Sequence, residues 1–235
     1  MPKTVDHTLR RRDVTAVAAE LVADRGRSAL TVRNVASAAG YSTTVVSHYF
    51  DDVSDLLHEV YEFAASRARR RIDAVLVNDP TDIEGLIEAV LPLDLERQQD
   101  WQIWFAFWSE AIAVPAFAAD QRERARTTTK RLRTCLKLLQ NAERLPATVD
   151  LTRAADRLST LIPGLAADAT FDPKRWTARR QRRVVRDELR SLGLDGVDPL
   201  TLPIAPTSVQ RSAAAAVARP SRMRSRPKSN SAPKS

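Results

Sequence analysis

What this sequence lacks narrows its chemistry first. Glycine is scarce: Gly26, Gly40, Gly85, Gly164, Gly193 and Gly196 are the only six in 235 residues, and they never fall into the GxxxxGK or GxGxxG spacing that cradles a phosphate. A single cysteine, Cys135, excludes an intrachain disulfide framework and a cysteine-bound zinc cluster. It suits a reducing cytoplasm and reads as a small buried hydrophobe. With only His7, His48 and His58, no HExxH, no paired Cys/His spacing and no GxSxG elbow, nothing supplies a metal centre or a hydrolytic nucleophile. The chain is therefore not expected to be an enzyme: no catalytic residue, metal site or cofactor is assigned, and His58-Glu59 reads as helix decoration. No window reaches about 18 apolar residues and residues 1–12 are polar and basic, so neither a membrane span nor a signal peptide is expected.

What is present is a globular composition, 43% hydrophobic and 28% charged, with a net charge of +8. Nearly all of that charge sits at one end. Residues 209–235 hold Arg211, Arg219, Arg222, Arg224, Arg226, Lys228 and Lys234 and no acid. Beyond Gly193 the Pro, Ser, Ala and Arg content cannot bury enough apolar surface to offset ordering, so 193–235 is expected to be a disordered basic tail.

Before that tail the apolar residues recur at helical spacing almost everywhere, and no useful strand alternation occurs, which predicts an all-α fold. Leu9 to Val22 forms the first helix, stopped by Arg25-Gly26. Thr31 is an N-cap for a short helix ended by Gly40, and Ser42 caps another that runs to Phe50. After Asp51-Asp52 a long helix runs to Asn78-Asp79-Pro80, with Arg67, Arg69, Arg70 and Arg71 expected on its exposed side. Five further helices are expected over Thr81–Leu95, Gln98–Val114, 116–145, Thr148–Phe171 and Trp176–Leu192.

The most informative stretch is TVRNVASAAGYSTTVVSHYF, Thr31 to Phe50. Two short helices around a Gly-containing turn fit a helix-turn-helix whose second helix enters a DNA major groove. Val35, Val46 and Phe50 can face a core, while Ser42, Thr43, Thr44, Ser47 and His48 offer short polar groups to phosphates or base edges. An ordinary helical hairpin in a bundle fits the same pattern. Further on, Trp101, Trp104, Phe105, Trp108 and Ile112 share one helix face. They form either a core or dimer stripe, or the wall of an effector pocket, such as an aromatic cage for a quaternary ammonium with Glu110 or Asp100 as an added anion.

Arg10 to Tyr61 resembles the DNA-binding domain of TetR/AcrR-type transcriptional regulators. STTVVSHYF with the preceding RRR, and later DWQIWFAFWSEA and LSTLIPGLAADATFDPKRW, resemble the choline-responsive BetI branch. The resemblance spans roughly residues 8–192. It implies a three-helix helix-turn-helix head over 8–60 and a helical ligand-binding and dimerisation domain over 61–192. Thr31 and Arg33 match positions that touch the DNA backbone, Gly40 matches the turn, and Ser42 to Tyr49, including Thr43, Thr44, Ser47 and His48, match the reading helix, with Tyr49 on a phosphate. The sequence departs where Val53 replaces a usual Lys and Thr44 a usual Gly. The implied effector residues are Trp101, Trp104, Phe105 and Trp108. Leu158, Leu161, Leu165, Val184, Val185 and Leu189 would form the seam of a four-helix dimer interface rimmed by Arg179, Arg180, Arg182, Arg183 and Arg186.

The function expected on this basis is that of a cytoplasmic homodimeric regulator, a repressor released from a double-stranded DNA operator by a small-molecule effector. The alternative is a nucleoid-associated DNA-binding protein without an effector. In either case the tail, with no aromatic to stack on bases, attracts phosphates without reading sequence. Three tail contacts per dimer would contribute roughly 2.7 to the slope of log affinity against log salt. Truncation after Ser208 should flatten the salt dependence of non-specific binding and leave operator choice intact. Identical slopes for the two forms in a salt titration would make the tail a passive appendage.

Overall fold

The computed structural model describes residues 7–194. Of the tail expected over 193–235, residues 195–235 lie outside the described residues. Within them the chain is helical, without strands, in the order α1 His7–Arg25, α2 Val32–Ala39, α3 Thr43–Tyr49, α4 Val53–Asn78, α5 Ile83–Glu88, α6 Leu95–Ala111, α7 Pro115–Asn141, α8 Leu151–Phe171 and α9 Ala178–Ser191, with a single 3-10 turn at Arg27–Ala29. No helix among them is long and apolar enough to cross a membrane.

Side-chain caps set most of the borders. The Asp52 carboxylate accepts from the backbone N–H groups of Ser54 and Asp55 and starts α4. Asp94 accepts from Arg97 N–H to start α6, and Asp150 from Thr152 and Arg153 to start α8, three residues after the start expected at Thr148. Thr177 caps α9, so that helix begins after Trp176 rather than at it. The helix expected over Thr81–Leu95 is only the six residues of α5. Pro92 lacks an N–H to continue it, and the chain turns before Asp94. At the far end Gly193 takes φ 89° and Leu194 N–H bonds back to the Leu189 carbonyl. Leu194 is buried, so the folded body extends two residues past the expected end at Leu192.

Two apolar clusters organise the body. The first joins Val14, Ala18 and Val22 of α1 to Leu30, Val35, Val46, Phe50 and the Leu56, Leu57 and Val60 of α4; Ile103, Phe107 and Ala111 of α6 enter it from behind. The second packs Leu86 and Ile87 of α5, Leu136 and Leu139 of α7, Leu158 and Leu165 of α8 and Val185 and Leu189 of α9. Four residues expected at the dimer seam, Leu158, Leu165, Val185 and Leu189, are therefore core of a single copy. Apolar periodicity does not distinguish a neighbour in the same chain from one in a second chain. Leu161 and Val184 stay half-exposed, in a groove between α8 and α9 that also holds Trp176.

Members of two arginine groups, the one expected on the exposed side of α4 and the one expected to rim the dimer interface on α9, are engaged within the chain. Arg67 of α4 donates from Nε to Asp100 Oδ1 at 2.9 Å, and Arg71 from Nη2 to Asp100 Oδ2 at 2.6 Å. Arg71 also reaches the Ala89 carbonyl at 3.0 Å and pairs with Glu96. On α9, Arg182 binds Glu88 at 2.9 Å, Arg186 binds Glu84 at 2.6 Å, and Arg180 lies 4.4 Å over the Trp176 ring. Burial pushes the Glu84 carboxyl above its ordinary range against the pull of Arg186.

Candidate DNA-reading head and ligand cavity

The turn between α2 and α3 is fixed by three local devices. Thr31 Oγ accepts from Asn34 N–H at 3.1 Å and starts α2. Gly40 sits at φ 70°, ψ 27°, the left-handed conformation that ends α2, and a side chain there would be strained whatever space surrounds it. Ser42 Oγ then accepts from Val45 N–H at 3.3 Å and starts α3. Val35, Ala36, Val46 and Phe50 are buried, which fixes the rotation of both short helices on the head core.

That rotation turns Arg33, Ser42, Thr43, Thr44, Ser47 and His48 outward, all exposed, with Thr31 and Gly40 beside them. Tyr49 is half-buried, its ring 5.3 Å from that of His48 in an edge-on contact. The side chains picked out from the sequence on α2 and α3 are thus turned to solvent, apart from half-buried Tyr49. Two of them have a second duty: the Thr31 and Ser42 oxygens are spent as cap acceptors, leaving their O–H groups as donors. Val53 is half-buried against the head core, and the neighbouring Asp52 is consumed in capping α4.

α4 ties this head to the rest of the body. Its first turns supply Leu56, Leu57 and Val60 to the head core, and Arg11 of α1 braces it through Glu59 at 2.6 Å. The same unbroken helix then forms a wall of a cavity of about 600 Å³ that is also lined by α6, α7 and α8. Trp101, Trp104 and Trp108 line the cavity. Phe105 does not; it packs against the second core and meets Trp108 edge-on at 5.5 Å. Trp101 itself is only 3% exposed and donates its indole N–H to the Val90 carbonyl at 2.6 Å. Ile112, at the end of the aromatic face, is 90% exposed.

Neither anion expected to complete a cation cage is available. Asp100 is fully buried between Arg67 and Arg71, and Glu110 pairs with Arg27 at 3.1 Å. The polar wall comes instead from α4 and α7. His58 Nε2 lies 3.1 Å from Asp120, Tyr61 donates to Gln121 Oε1 at 2.8 Å, and Glu62 takes Arg69 at 3.3 Å together with Arg124. The Arg124 guanidinium also stacks 4.5 Å over the Tyr61 ring. Burial pushes the Tyr61 phenol up to about 12 despite that cation, so it remains a neutral donor. His58, read from the sequence as helix decoration, and Arg69, expected on the exposed side of α4, line the cavity instead, together with Tyr61 and Glu62, which the sequence does not single out; the spacing of these polar groups along one face of α4 was the available signal. Cys135 is buried as expected, its thiol pushed up to about 12 by burial.

Comparison with known proteins sets this geometry in context. Residues 14–60 match the family of bacterial regulatory proteins of the tetR type, and residues 80–194 match the C-terminal part of BetI-type transcriptional repressors. The chain is 31% identical over 170 residues to the HTH-type transcriptional regulator BetI of Paraburkholderia phymatum, covering 70% of this chain and 83% of that one. It is 27% identical over 199 residues to the HTH-type transcriptional regulator PksA of Bacillus subtilis, covering 82% and 94%. A solved structure of a transcriptional regulator from Saccharomonospora viridis in complex with choline superposes with a TM-score of 0.67 at 24% identity, covering 78% of this chain and 96% of that one.

Proposed function

This chain belongs to the TetR family of bacterial regulatory proteins, with a BetI-type C-terminal part, and from that premise we propose that it is a homodimeric repressor released from its operator by a small molecule held in the α4–α6–α7–α8 cavity. Membership makes it a DNA-binding transcriptional regulator; the release step, the dimer and the residues that serve each are the reading advanced here. We assign the head to residues 8–60, with α3 in the major groove. Thr43, Thr44, Ser47 and His48 face base edges, and Thr31, Arg33, Ser42 and Tyr49 face the backbone, with Gly40 holding the turn. Two such helices, related by a two-fold axis, meet half-sites about 34–36 Å apart or a multiple of that. The faces of α8 and α9 that carry Leu161 and Val184 are the surface offered to the second copy, and the regulator works in the cytoplasm, where its operator is.

The observation that carries this reading is the continuity of α4. One helix contributes Leu57 and Val60 to the head core and Tyr61, Glu62 and Ile72 to the cavity. A molecule that shifts that wall must also move the head. A hundredfold loss of operator affinity asks for only about 2.7 kcal/mol of difference in ligand binding between the two head positions. Trp104→Ala with Trp108→Ala should leave operator binding unchanged and abolish release, as followed by gel shift with an operator selected from random oligonucleotides. A double variant that an effector still releases fully would remove the cavity from the mechanism.

A further inference from the structure

The walls of the cavity say what kind of molecule it takes. Among the described lining residues the Glu62 carboxylate is spent on both oxygens while guanidinium and indole donors are left over; the acceptors still open are one oxygen of Asp120, Glu123 at the edge and the hydroxyls of Thr127, Thr128, Thr129 and Ser159. Both oxygens of Glu62 are held, one by Arg124 and the other by Arg69, and Asp120 faces His58. The Gln121 carbonyl accepts from Tyr61, leaving its amide N–H groups over. Arg69, Arg124 and Arg131 each commit a single nitrogen to a carboxylate, the last to Asp73 at a loose 3.8 Å, although a guanidinium carries five N–H donors. The indole N–H of Trp108 is buried and donates to nothing. Outside the cavity, α7 presents Arg122, Arg126, Lys130, Arg133 and Lys137 on one exposed stripe, with Glu123 of the cavity edge 3.8 Å from Arg126. A field of that sign draws anions towards the α7 side of the cavity.

We infer that the ligand is an amphipathic anion: an aromatic or apolar body against Trp104, Trp108 and Ile162, and a carboxylate on Arg124 and Arg69. This rests on the effector reading above and replaces the bare cation suggested by the aromatic face alone. The bound carboxylate competes with Glu62 for Arg124. It therefore loosens a contact that holds α4 to α7, which gives the ligand a route to the head.

The test is calorimetric titration of the full chain with 1-naphthylacetate, its neutral amide 1-naphthylacetamide, and choline. The acid should bind about tenfold tighter than the amide, the difference of a charge-assisted hydrogen bond. Choline should not bind. Glu62→Gln, which removes the competing carboxylate, should tighten the acid several-fold, and Arg124→Gln should erase the preference for acid over amide. Equal affinity for acid and amide, no gain in Glu62→Gln, or choline binding tighter than both would overturn the anionic assignment while leaving an effector cavity standing. Absence of binding by all three would overturn the anionic assignment, whereas the effector reading stands or falls on the Trp104→Ala/Trp108→Ala release test.

Discussion

Asp100→Ala should lower the stability of the folded chain by about 3–5 kcal/mol, the usual consequence of removing one partner from a buried ion cluster. Asp100 is wholly buried, and it receives Arg67 on one oxygen and Arg71 on the other, with those side chains only 16% and 22% exposed. Burial pushes the Asp100 carboxyl above its ordinary range, opposed by both arginines, so the attraction largely offsets desolvation rather than adding to stability. Removing the carboxylate leaves Arg67 without a counter-charge and Arg71 with Glu96 alone, in a half-buried site. What the cluster provides is register: it fixes α6 along α4 and so places Trp101, the next residue, on the cavity. Urea denaturation of Asp100→Ala should show the midpoint falling with an unchanged slope. A loss under about 1 kcal/mol would mean that Arg67 and Arg71 find water without cost, as exposed pairs do.

Thr43→Ala with Ser47→Ala should weaken specific operator binding by roughly a thousandfold. Both side chains are exposed on α3 and neither caps a helix, unlike Ser42, so the head should fold unchanged. A dimer loses four hydroxyls, and at roughly 1 kcal/mol each the total is about 4 kcal/mol. No charge is altered, so binding to random DNA and its salt slope should stay as they are. Fluorescence anisotropy on operator and random duplexes measures both. An operator affinity within about threefold of wild type would remove α3 from the reading role.

The head was legible in the sequence because its determinants are local. Thr31, Gly40 and Ser42 act within three or four residues of themselves, and the apolar periodicity of Val35, Val46 and Phe50 fixes which side faces in. The aromatic helix was legible as a stripe, and three of its four proposed effector residues do line the cavity. The rest of that cavity was not, because its polar wall is made by pairs some 60 residues apart, such as Tyr61 with Gln121. Asp100 was misread as a cavity anion for the same reason. Its partners lie some 30 residues upstream, and nothing near it in the chain announces them. Four of the six seam residues, Leu158, Leu165, Val185 and Leu189, failed differently: their burial was correctly sensed, and the neighbour that buries them was not.

Coupling between the cavity and the reading helix is measured most directly by titrating one small molecule into the protein twice, free and saturated with operator. The molecule is one whose binding is lost in Trp104→Ala/Trp108→Ala. Because linkage between two binding sites is reciprocal, operator must weaken the ligand by the same factor by which the ligand weakens the operator, about a hundredfold for an effective release. Equal ligand affinity with and without operator, in a protein that binds both, would contradict a repressor governed through α4.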